Sequence, residues 1–226
     1  MAKVAAIVPA LNEEGNIANV LKVLLASKYL NEVILVDDGS SDRTAEIGRS
    51  LGAKVLSLPK KGGSGKSNAM RKGVESTDAE VIAFFDADLI NFKEEHIESV
   101  VKPVLENKAE MCIGVRVRYG GISELFVKID PLLAIGGERA MKRYVFLAIP
   151  EKFMQGFMVE TTLNYFCKIN KLKIAYTRLK GLEIIIKEKK WGFWKGFKNR
   201  IKMIKQLIKI RFLIIKSKSE FINKPQ

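Results

Sequence analysis

The sequence is poor in the residues that build disulfide frameworks and transition-metal sites. Its 226 residues include two cysteines and one histidine. Cys112 and Cys167 are too few for a disulfide framework and have no zinc-motif spacing, which predicts a reducing, intracellular setting.

Long apolar runs are also missing. The first apolar run covers residues 4–8, and a proline and two glutamates follow it, so we expect no secretory signal. No run approaches the length that spans a bilayer. These absences predict a cytoplasmic protein.

The stretch PKKGGSGKSNAM (59–70) lacks a glycine that a phosphate-binding P-loop requires. That pattern needs glycine five positions before the Gly of Gly-Lys-Ser, since backbone N–H groups must wrap the phosphates. Lys60 occupies the position here. The missing glycine argues against a P-loop ATPase or kinase, so any contact with phosphate depends on the surroundings of the loop.

Acidic residues become scarce towards the C-terminus. Residues 1–110 hold 14 basic and 17 acidic side chains, a net charge of −3, whereas residues 111–226 hold 25 and 8, a net charge of +17. From Lys187 onward there are 13 basic and 2 acidic residues, a net charge of +11. A basic end favours an anionic partner, and the alternative is a solvated tail that maintains solubility.

Strand and helix patterns alternate through the first half of the chain. Hydrophobic residues make up 47% of the sequence, enough for one α/β domain with a real core. The apolar runs at 4–8, 33–36, 53–58 and 81–85 are typical of buried parallel strands. The fold class predicted is therefore α/β, with a mainly parallel sheet flanked by helices.

Several element boundaries follow from capping and turn residues. We expect Ser41 and Asp42 to cap the start of the second helix, and Ser67 or Asn68 to cap the start of the third. The helix that follows residue 92 contains Pro103, which predicts a bend or a break. Further strands are predicted at 110–117 and 173–179, and a further helix at 158–170.

Acidic side chains follow two neighbouring strands at the edge where parallel sheets bind ligands. Asp86 and Asp88 come directly after the fourth strand, and such paired carboxylates favour Mg²⁺ or Mn²⁺. Asp37 and Asp38 follow the second strand and could hold a nucleobase or a ribose hydroxyl. The alternative for both pairs is an ordinary strand-end turn.

The Gly-Lys loop follows the third strand and reaches the same edge. Gly62, Gly63 and Gly65 permit close backbone approach, and Lys66 at a helix start can neutralise a diphosphate. A flexible surface loop is the alternative.

Four motifs together resemble the family 2 type of nucleotide-sugar glycosyltransferase with the GT-A fold: VPALNEE, VDDGSSDRT, GKSNAMRKG and FFDADL. GGERAMKR (136–143) and GFMVETTLNYF (156–166) resemble the acceptor half of glucosyl-3-phosphoglycerate synthases and, less closely, of polyprenyl-phosphate sugar transferases. The likeness reaches about Leu182.

This resemblance implies a role for each matching position. Lys66 and the neighbouring Gly65 would contact the diphosphate, and Asp86, Ala87 and Asp88 would hold the sugar nucleotide and the metal. Glu160 would face the reacting sugar or the acceptor, so Glu160, Asp88 and Lys66 form the predicted catalytic set. The residues implied to line the base and ribose are Pro9, Ala10, Leu11, Glu13 and Asp38.

The sequence departs from the phosphoglycerate enzymes at one metal ligand. Those enzymes are expected to place a histidine after the acceptor half, but LEIIIKEKK (182–190) contains none. His96 is the one histidine of the chain, and we expect it on a solvated helix face. The third metal contact would then fall to water.

The predicted chemistry is transfer of a hexose from a UDP- or GDP-sugar to a phosphate-bearing acceptor. A divalent cation and Lys66 would stabilise charge on the β-phosphate as the glycosidic bond breaks. Glu160 would take the acceptor proton in an inverting reaction or position groups in a retaining one. Its alternative role is that of a carboxylate favoured at a helix N-terminus.

The basic tail shows helical order, with apolar residues from Trp194 to Ile215 recurring every three or four positions beside a lysine stripe. This pattern is typical of an amphipathic helix on an anionic membrane surface. The alternative is a helix packed on the domain. The predicted domains are 1–186 (donor half 1–110, acceptor half 111–186) and the tail 187–226.

Two further functions compete with a glycosyltransferase. A sugar-phosphate nucleotidyltransferase would open with a glycine- and arginine-rich loop, where this chain has PALNEE. A non-enzymatic binding protein would not need the acidic edge, and no nucleic-acid motif accompanies the charge. A small anionic acceptor would suit Arg116, Arg118 and the turn at 120–121, and a lipid phosphate would suit the tail at the inner membrane face. Homo-oligomerisation stays open.

Overall fold

The computed structural model describes residues 2–59, 65–116, 137–154 and 158–184. Several predictions fall outside these residues and stay predictions. They concern Gly62 and Gly63 of the Gly-Lys loop, Arg118 and the turn at 120–121, and the whole tail 187–226. Among the described residues, no helix combines the length and the apolar character needed to cross a membrane.

The described residues alternate between strands and helices as predicted. The strands are β1 (Val4–Ala10), β2 (Glu32–Asp37), β3 (Lys54–Ser57), β4 (Val81–Phe84), β5 (Leu89–Ile90), β6 (Met111–Arg116), β7 (Arg139–Lys142), β8 (Ile174–Leu179) and β9 (Glu183–Ile184). The α-helices are α1 (Ile17–Leu25), α2 (Thr44–Ser50), α3 (Lys66–Glu75), α4 (Glu94–Leu105), α5 (Arg143–Leu147) and α6 (Met158–Ile169). A 3₁₀ turn covers Glu151–Phe153.

Seven strands form one sheet in the order β3-β2-β1-β4-β7-β6-β8. All neighbouring pairs are parallel except those of β7, which runs antiparallel to both β4 and β6. The mainly parallel α/β sheet is confirmed. Because β7 is reversed, its first residues lie at the edge where the other strands end.

The core has one layer on each face of the sheet because successive strand residues point to opposite sides. On β1, Ala5 and Ile7 pack with apolar residues of α3, α5 and α6. Val4, Ala6 and Val8 pack with residues of α1 and α4. The sheet is therefore covered on both sides, and its strand ends remain for a site.

Two predicted helix caps are wrong by one to three residues. Helix α2 begins at Thr44 with Arg43 as its N-cap, and the Asp42 side chain accepts a hydrogen bond from the Thr44 N–H at 3.0 Å. Helix α3 begins at Lys66, with Gly65 as its N-cap at φ 87°. Few residues other than glycine adopt this left-handed conformation, which places the helix start before Ser67.

The helix is not broken at Pro103, since α4 continues to Leu105. Proline lacks the N–H that would bond to the carbonyl four residues earlier, which belongs to Ser99. The Cys112 thiol donates to that carbonyl at 3.7 Å instead. Pro103 therefore lies in the last turn of the helix.

The prediction that His96 lies on a solvated helix face is wrong, since its exposed fraction is 4%. Its Nδ1 accepts a hydrogen bond from the Lys93 N–H at 3.1 Å, which caps the start of α4. Nε2 therefore carries the proton and donates to the Lys180 carbonyl at 2.9 Å. His96 is a structural link between α4 and the turn after β8.

Candidate active site

The loops that follow β1 and β2 are tied together by side chains. The Asn12 N–H donates to Ser40 Oγ at 2.9 Å, and the Ser41 N–H donates to Asn12 Oδ1 at 2.8 Å. The Glu13 N–H donates to Thr44 Oγ1 at 2.9 Å. These bonds hold both loops at the carboxyl edge without a ligand.

The residues implied to line the base and ribose reach this edge. Pro9 and Ala10 form the end of β1, where Ala10 is paired with Asp37. Leu11 follows with 45% of its surface exposed, and Glu13 is half-buried. The exposed Leu11 side chain therefore provides an apolar surface beside the polar loops at the carboxyl edge of the sheet.

The buried carboxylates at the end of β2 have partners within the protein. Asp37 Oδ1 accepts the Ser40 N–H at 3.0 Å. Asp38 Oδ2 accepts the Gly65 N–H at 2.9 Å, which joins the β2 loop to the start of α3. Asp38 therefore fixes the backbone that carries Lys66.

Lys66 and Asp86 form the charged centre of the edge. Lys66 Nζ donates to Asp86 Oδ1 at 2.6 Å, and the two side chains are 41% and 18% exposed. Arg116 lies on the other side of Asp86, with Nη2 at 3.7 Å from Oδ2. The structure thus brings together two residues that lie twenty positions apart in the chain.

The charges at this centre shift both pKa values away from their ordinary range. Burial alone would lower the pKa of Lys66, but the negative charges of Asp86 and Glu160 outweigh burial and raise it. Burial would raise the pKa of Asp86, but Lys66 and then Arg116 and Arg139 hold it below its ordinary value. Both groups are therefore charged at neutral pH.

Sequence reasoning did not assign a role to Glu138, which is fully buried. Its Oε2 lies 3.2 Å from Arg116 Nε. Burial, reinforced by the charge of Asp86, raises the pKa of Glu138 to about 7. Glu138 lies within the GGERAMKR motif, but the motif does not indicate its position. Only the reversed direction of β7 places Glu138 at the carboxyl edge of the sheet.

The preceding Gly137 leaves room for the carboxylate of Asp86. A Cβ at position 137 would lie 2.4 Å from Asp86 Oδ2 and 2.8 Å from its Cγ. Ordinary contacts begin at 3.4 Å, so no larger side chain fits unless Asp86 moves.

Glu160 lies in the first turn of α6 with 6% of its surface exposed. Its Oε2 is buried and accepts no hydrogen bond from the residues that the structure describes. Since its charge raises the pKa of Lys66, it lies within electrostatic reach of the Lys66–Asp86 pair. Glu160, from the predicted acceptor half, thus acts electrostatically on Lys66 of the predicted donor half.

Asp88 is half-buried in the turn between β4 and β5. Asn16 Nδ2 holds this turn by donating to the carbonyls of Ala87 at 3.2 Å and Leu89 at 2.9 Å. In the described part of the chain, no three Asp, Glu, His or Cys side chains gather into a metal-binding group. Asp86 and Asp88 supply carboxylate oxygens, the ligand type of a hard cation that takes its other ligands from phosphate and water, as Mg²⁺ does.

The sequence is similar to curated glycosyltransferases over part of its length. It is 36% identical over 103 residues to 4,4'-diaponeurosporenoate glycosyltransferase of Staphylococcus haemolyticus. The matched residues cover 44% of this chain and 28% of the relative. The Staphylococcus aureus enzyme of the same name is 35% identical over 98 residues, which covers 42% and 26%. The chain therefore spans little more than a quarter of these relatives.

The structure is similar to glucosyl-3-phosphoglycerate synthase of Mycobacterium tuberculosis. The complex with phosphoglyceric acid has a TM-score of 0.68 and 26% identity, over 82% of this chain and 72% of the other. The complex with Mn²⁺, UDP and glucosyl-3-phosphoglycerate has the same TM-score and coverage with 25% identity. These similarities confirm the predicted GT-A type fold.

The family model described as Glycosyl transferase family 2 matches residues 5–167. That range includes β2 to β7 and nearly all of β1 and α6, so it contains every residue of the predicted site. The chain belongs to glycosyl transferase family 2.

Proposed function

We propose that this protein is a metal-dependent glycosyltransferase that moves a hexose from a UDP- or GDP-sugar to a phosphate-bearing acceptor. The observation that carries the proposal is the Lys66–Asp86 pair at the sheet edge, with Glu160 in electrostatic reach. Family membership supports the reaction class. The M. tuberculosis structures with UDP and Mn²⁺ or Mg²⁺ support the donor and the metal.

The donor would lie across the loops that follow β1 and β2. Pro9, Ala10 and Leu11 would contact the base, and Glu13 would bind a ribose hydroxyl. Asp38 would act mainly through Gly65, because one of its oxygens accepts the Gly65 N–H at 2.9 Å. The donor loops would thus be preorganised by the bonds that already connect them.

Lys66, together with the metal held by Asp86, would neutralise the charge of the diphosphate. Asp86 and Asp88 would hold the divalent cation, which would supply positive charge to the phosphate oxygens. Lys66 is partly exposed and protonated, so its Nζ can turn from Asp86 towards the β-phosphate. A cation fixed in place stabilises the leaving group as its charge develops.

Glu160 would act on the acceptor side. It would accept the proton of the attacking hydroxyl in an inverting reaction, or orient the reacting groups in a retaining one. Its burial excludes water from one carboxylate oxygen, which keeps the carboxylate poorly solvated until the acceptor arrives.

The acceptor is proposed to carry phosphate, as a small phosphoglycerate-like molecule or as a lipid phosphate. The M. tuberculosis enzyme has been solved with phosphoglyceric acid and with glycerol 3-phosphate. Arg116 contacts Asp86 and Glu138 within the protein, so these carboxylates would compete with an acceptor anion for its guanidinium. A screen of both acceptor classes for release of nucleoside diphosphate tests this point.

The test of donor binding is calorimetry with UDP- and GDP-sugars, with and without Mn²⁺. Asp88→Ala should abolish the metal-dependent part of binding and turnover while the fold persists. Asp78→Ala is the matched control, because Asp78 is an exposed carboxylate that pairs with Lys3 at the opposite edge. Tight ATP binding without a response to any sugar nucleotide would reject the proposal.

A peripheral membrane role for residues 187–226 is proposed on their sequence alone. Each lysine near an anionic surface contributes about 1 kcal/mol, and salt weakens that attraction. The full chain should therefore co-sediment with anionic vesicles at low salt and not with neutral ones. Equal sedimentation of a chain truncated after Leu182 would reject the role.

A further inference from the structure

Arg139 is a fully buried arginine beneath the candidate active site. It is the first residue of β7 and is paired with Phe84 of β4 on one side and Ile113 of β6 on the other. It therefore lies in the middle of the sheet, at the edge that carries Asp86. A side chain without exposed surface cannot contact a substrate.

A buried guanidinium requires polar and negative partners, because desolvation of an unpaired charge costs several kcal/mol. Arg139 Nη1 lies 3.5 Å from Asn164 Oδ1, and both residues are buried. Burial lowers the pKa of Arg139, and the charge of Glu160, followed by that of Glu138, acts against this shift. Arg139 therefore hydrogen-bonds Asn164 and lies within electrostatic reach of Glu160 and Glu138.

Asn164 and Glu160 are one turn apart on α6, so they occupy the same face of that helix. Arg139 meets this face from the sheet. Glu160 keeps one buried oxygen that no described residue hydrogen-bonds. An unsolvated carboxylate in this position depends on a nearby positive charge to stay in place.

We propose that Arg139 is a positioning residue for Glu160: the buried guanidinium fixes the α6 face through Asn164 and supplies the countercharge that holds the Glu160 carboxylate at the site. This inference rests on the proposed function for the role of Glu160 in the reaction. Donor binding depends chiefly on Lys66 and Asp86, and Lys66 and Arg116 act on Asp86 more strongly than Arg139 does. Loss of Arg139 should therefore impair transfer more than it impairs donor binding.

The first test is thermal unfolding of Arg139→Met, Glu160→Gln and the double variant in the full chain. Each single change leaves one buried charge without its partner and should lower Tm by roughly 10 °C. The double variant removes both charges and should unfold above the less stable single variant. Additive losses would overturn the proposal.

The matched control is Arg143→Met, alone and combined with Glu160→Gln. Arg143 lies just past the other end of β7, where its Nε donates to the Val74 carbonyl. Its effect should add to that of Glu160→Gln. If Arg139→Met does not fold, the double variant decides: a folded double variant supports the proposal, and an unfolded one contradicts it.

The second test separates this inference from the proposed function. Arg139→Met should retain UDP binding with Mn²⁺, with kcat about 100-fold lower and a much smaller change in the KM for the donor. Arg139→Lys should recover most of kcat because it keeps the charge. Equal loss in both variants, or lost UDP binding, would overturn the positioning role. Non-additive stability without any UDP binding to the unchanged chain would instead reject the proposed function alone.

Discussion

The contact between Gly137 and Asp86 gives a sharp test of the site. In Gly137→Ala the new Cβ would lie 2.4 Å from Asp86 Oδ2, whereas ordinary contact begins at 3.4 Å. The carboxylate must therefore move by about 1 Å, away from a position where Lys66 Nζ holds it at 2.6 Å. A displacement of that size disrupts the ion pair and the predicted metal ligand together.

Two magnitudes follow from this displacement. Overpacking costs about 1–3 kcal/mol, which lowers the Tm of a chain of this length by about 2–12 °C. A misplacement of about 1 Å in a catalytic constellation costs about 100-fold in rate. We therefore expect a folded variant whose loss of turnover is far larger than its loss of stability.

The assay is release of nucleoside diphosphate, measured beside thermal unfolding. Gly15→Ala is the matched control, since a Cβ there meets nothing within 4 Å and the residue lies in a turn. It should leave both measurements nearly unchanged. A Gly137→Ala variant with full turnover and an unchanged Tm would refute the assignment of Asp86 to the site.

Three further predictions concern other buried polar groups. Asp38→Ala removes the acceptor of the Gly65 N–H and should weaken UDP binding with Mn²⁺ about 10-fold in calorimetry. Asp38→Asn keeps an acceptor oxygen and should bind UDP nearly normally. Equal UDP affinities of the two variants would contradict a role for the Asp38–Gly65 hydrogen bond. Burial and the nearby negative charge raise the pKa of Glu138 from 4.5 to about 7, so the folded chain binds the extra proton and stability should fall as pH rises between these values. Urea unfolding at several pH values should show that Glu138→Gln lacks this pH dependence of the unfolding free energy. The same pH dependence in Glu138→Gln and the unchanged chain would reject a raised pKa of Glu138. Burial raises the pKa of the Cys112 and Cys167 thiols to about 12, so neither should react with a thiol reagent at pH 8 until the chain is denatured; rapid labelling of the native chain would disagree.

The sequence by itself determined the fold class and the sheet edge at which the candidate site lies. Apolar runs on both faces and the turn residues between them are local signals, so they predicted the parallel strands and the acidic and glycine-rich loops. Ligand sites in such sheets follow the strand ends, which is why position alone predicted that Asp38, Lys66 and Asp86 lie together at one edge, as the structure shows. The capping and turn signals were less exact, because Gly65 could start α3 only with the φ that the folded loop imposes.

Only the tertiary structure decided which charges are buried and what they contact. Glu138 and Arg139 look like surface residues in sequence, but β7 inserts antiparallel between β4 and β6 and brings them beside Asp86. His96 looked solvated, yet the Lys180 carbonyl, 84 residues away in the chain, accepts its Nε2 proton. The burial of a charge depends on partners that are distant in sequence, and no local pattern records them. The sheet edge was therefore predictable from the sequence, whereas the charge network that supports it was not.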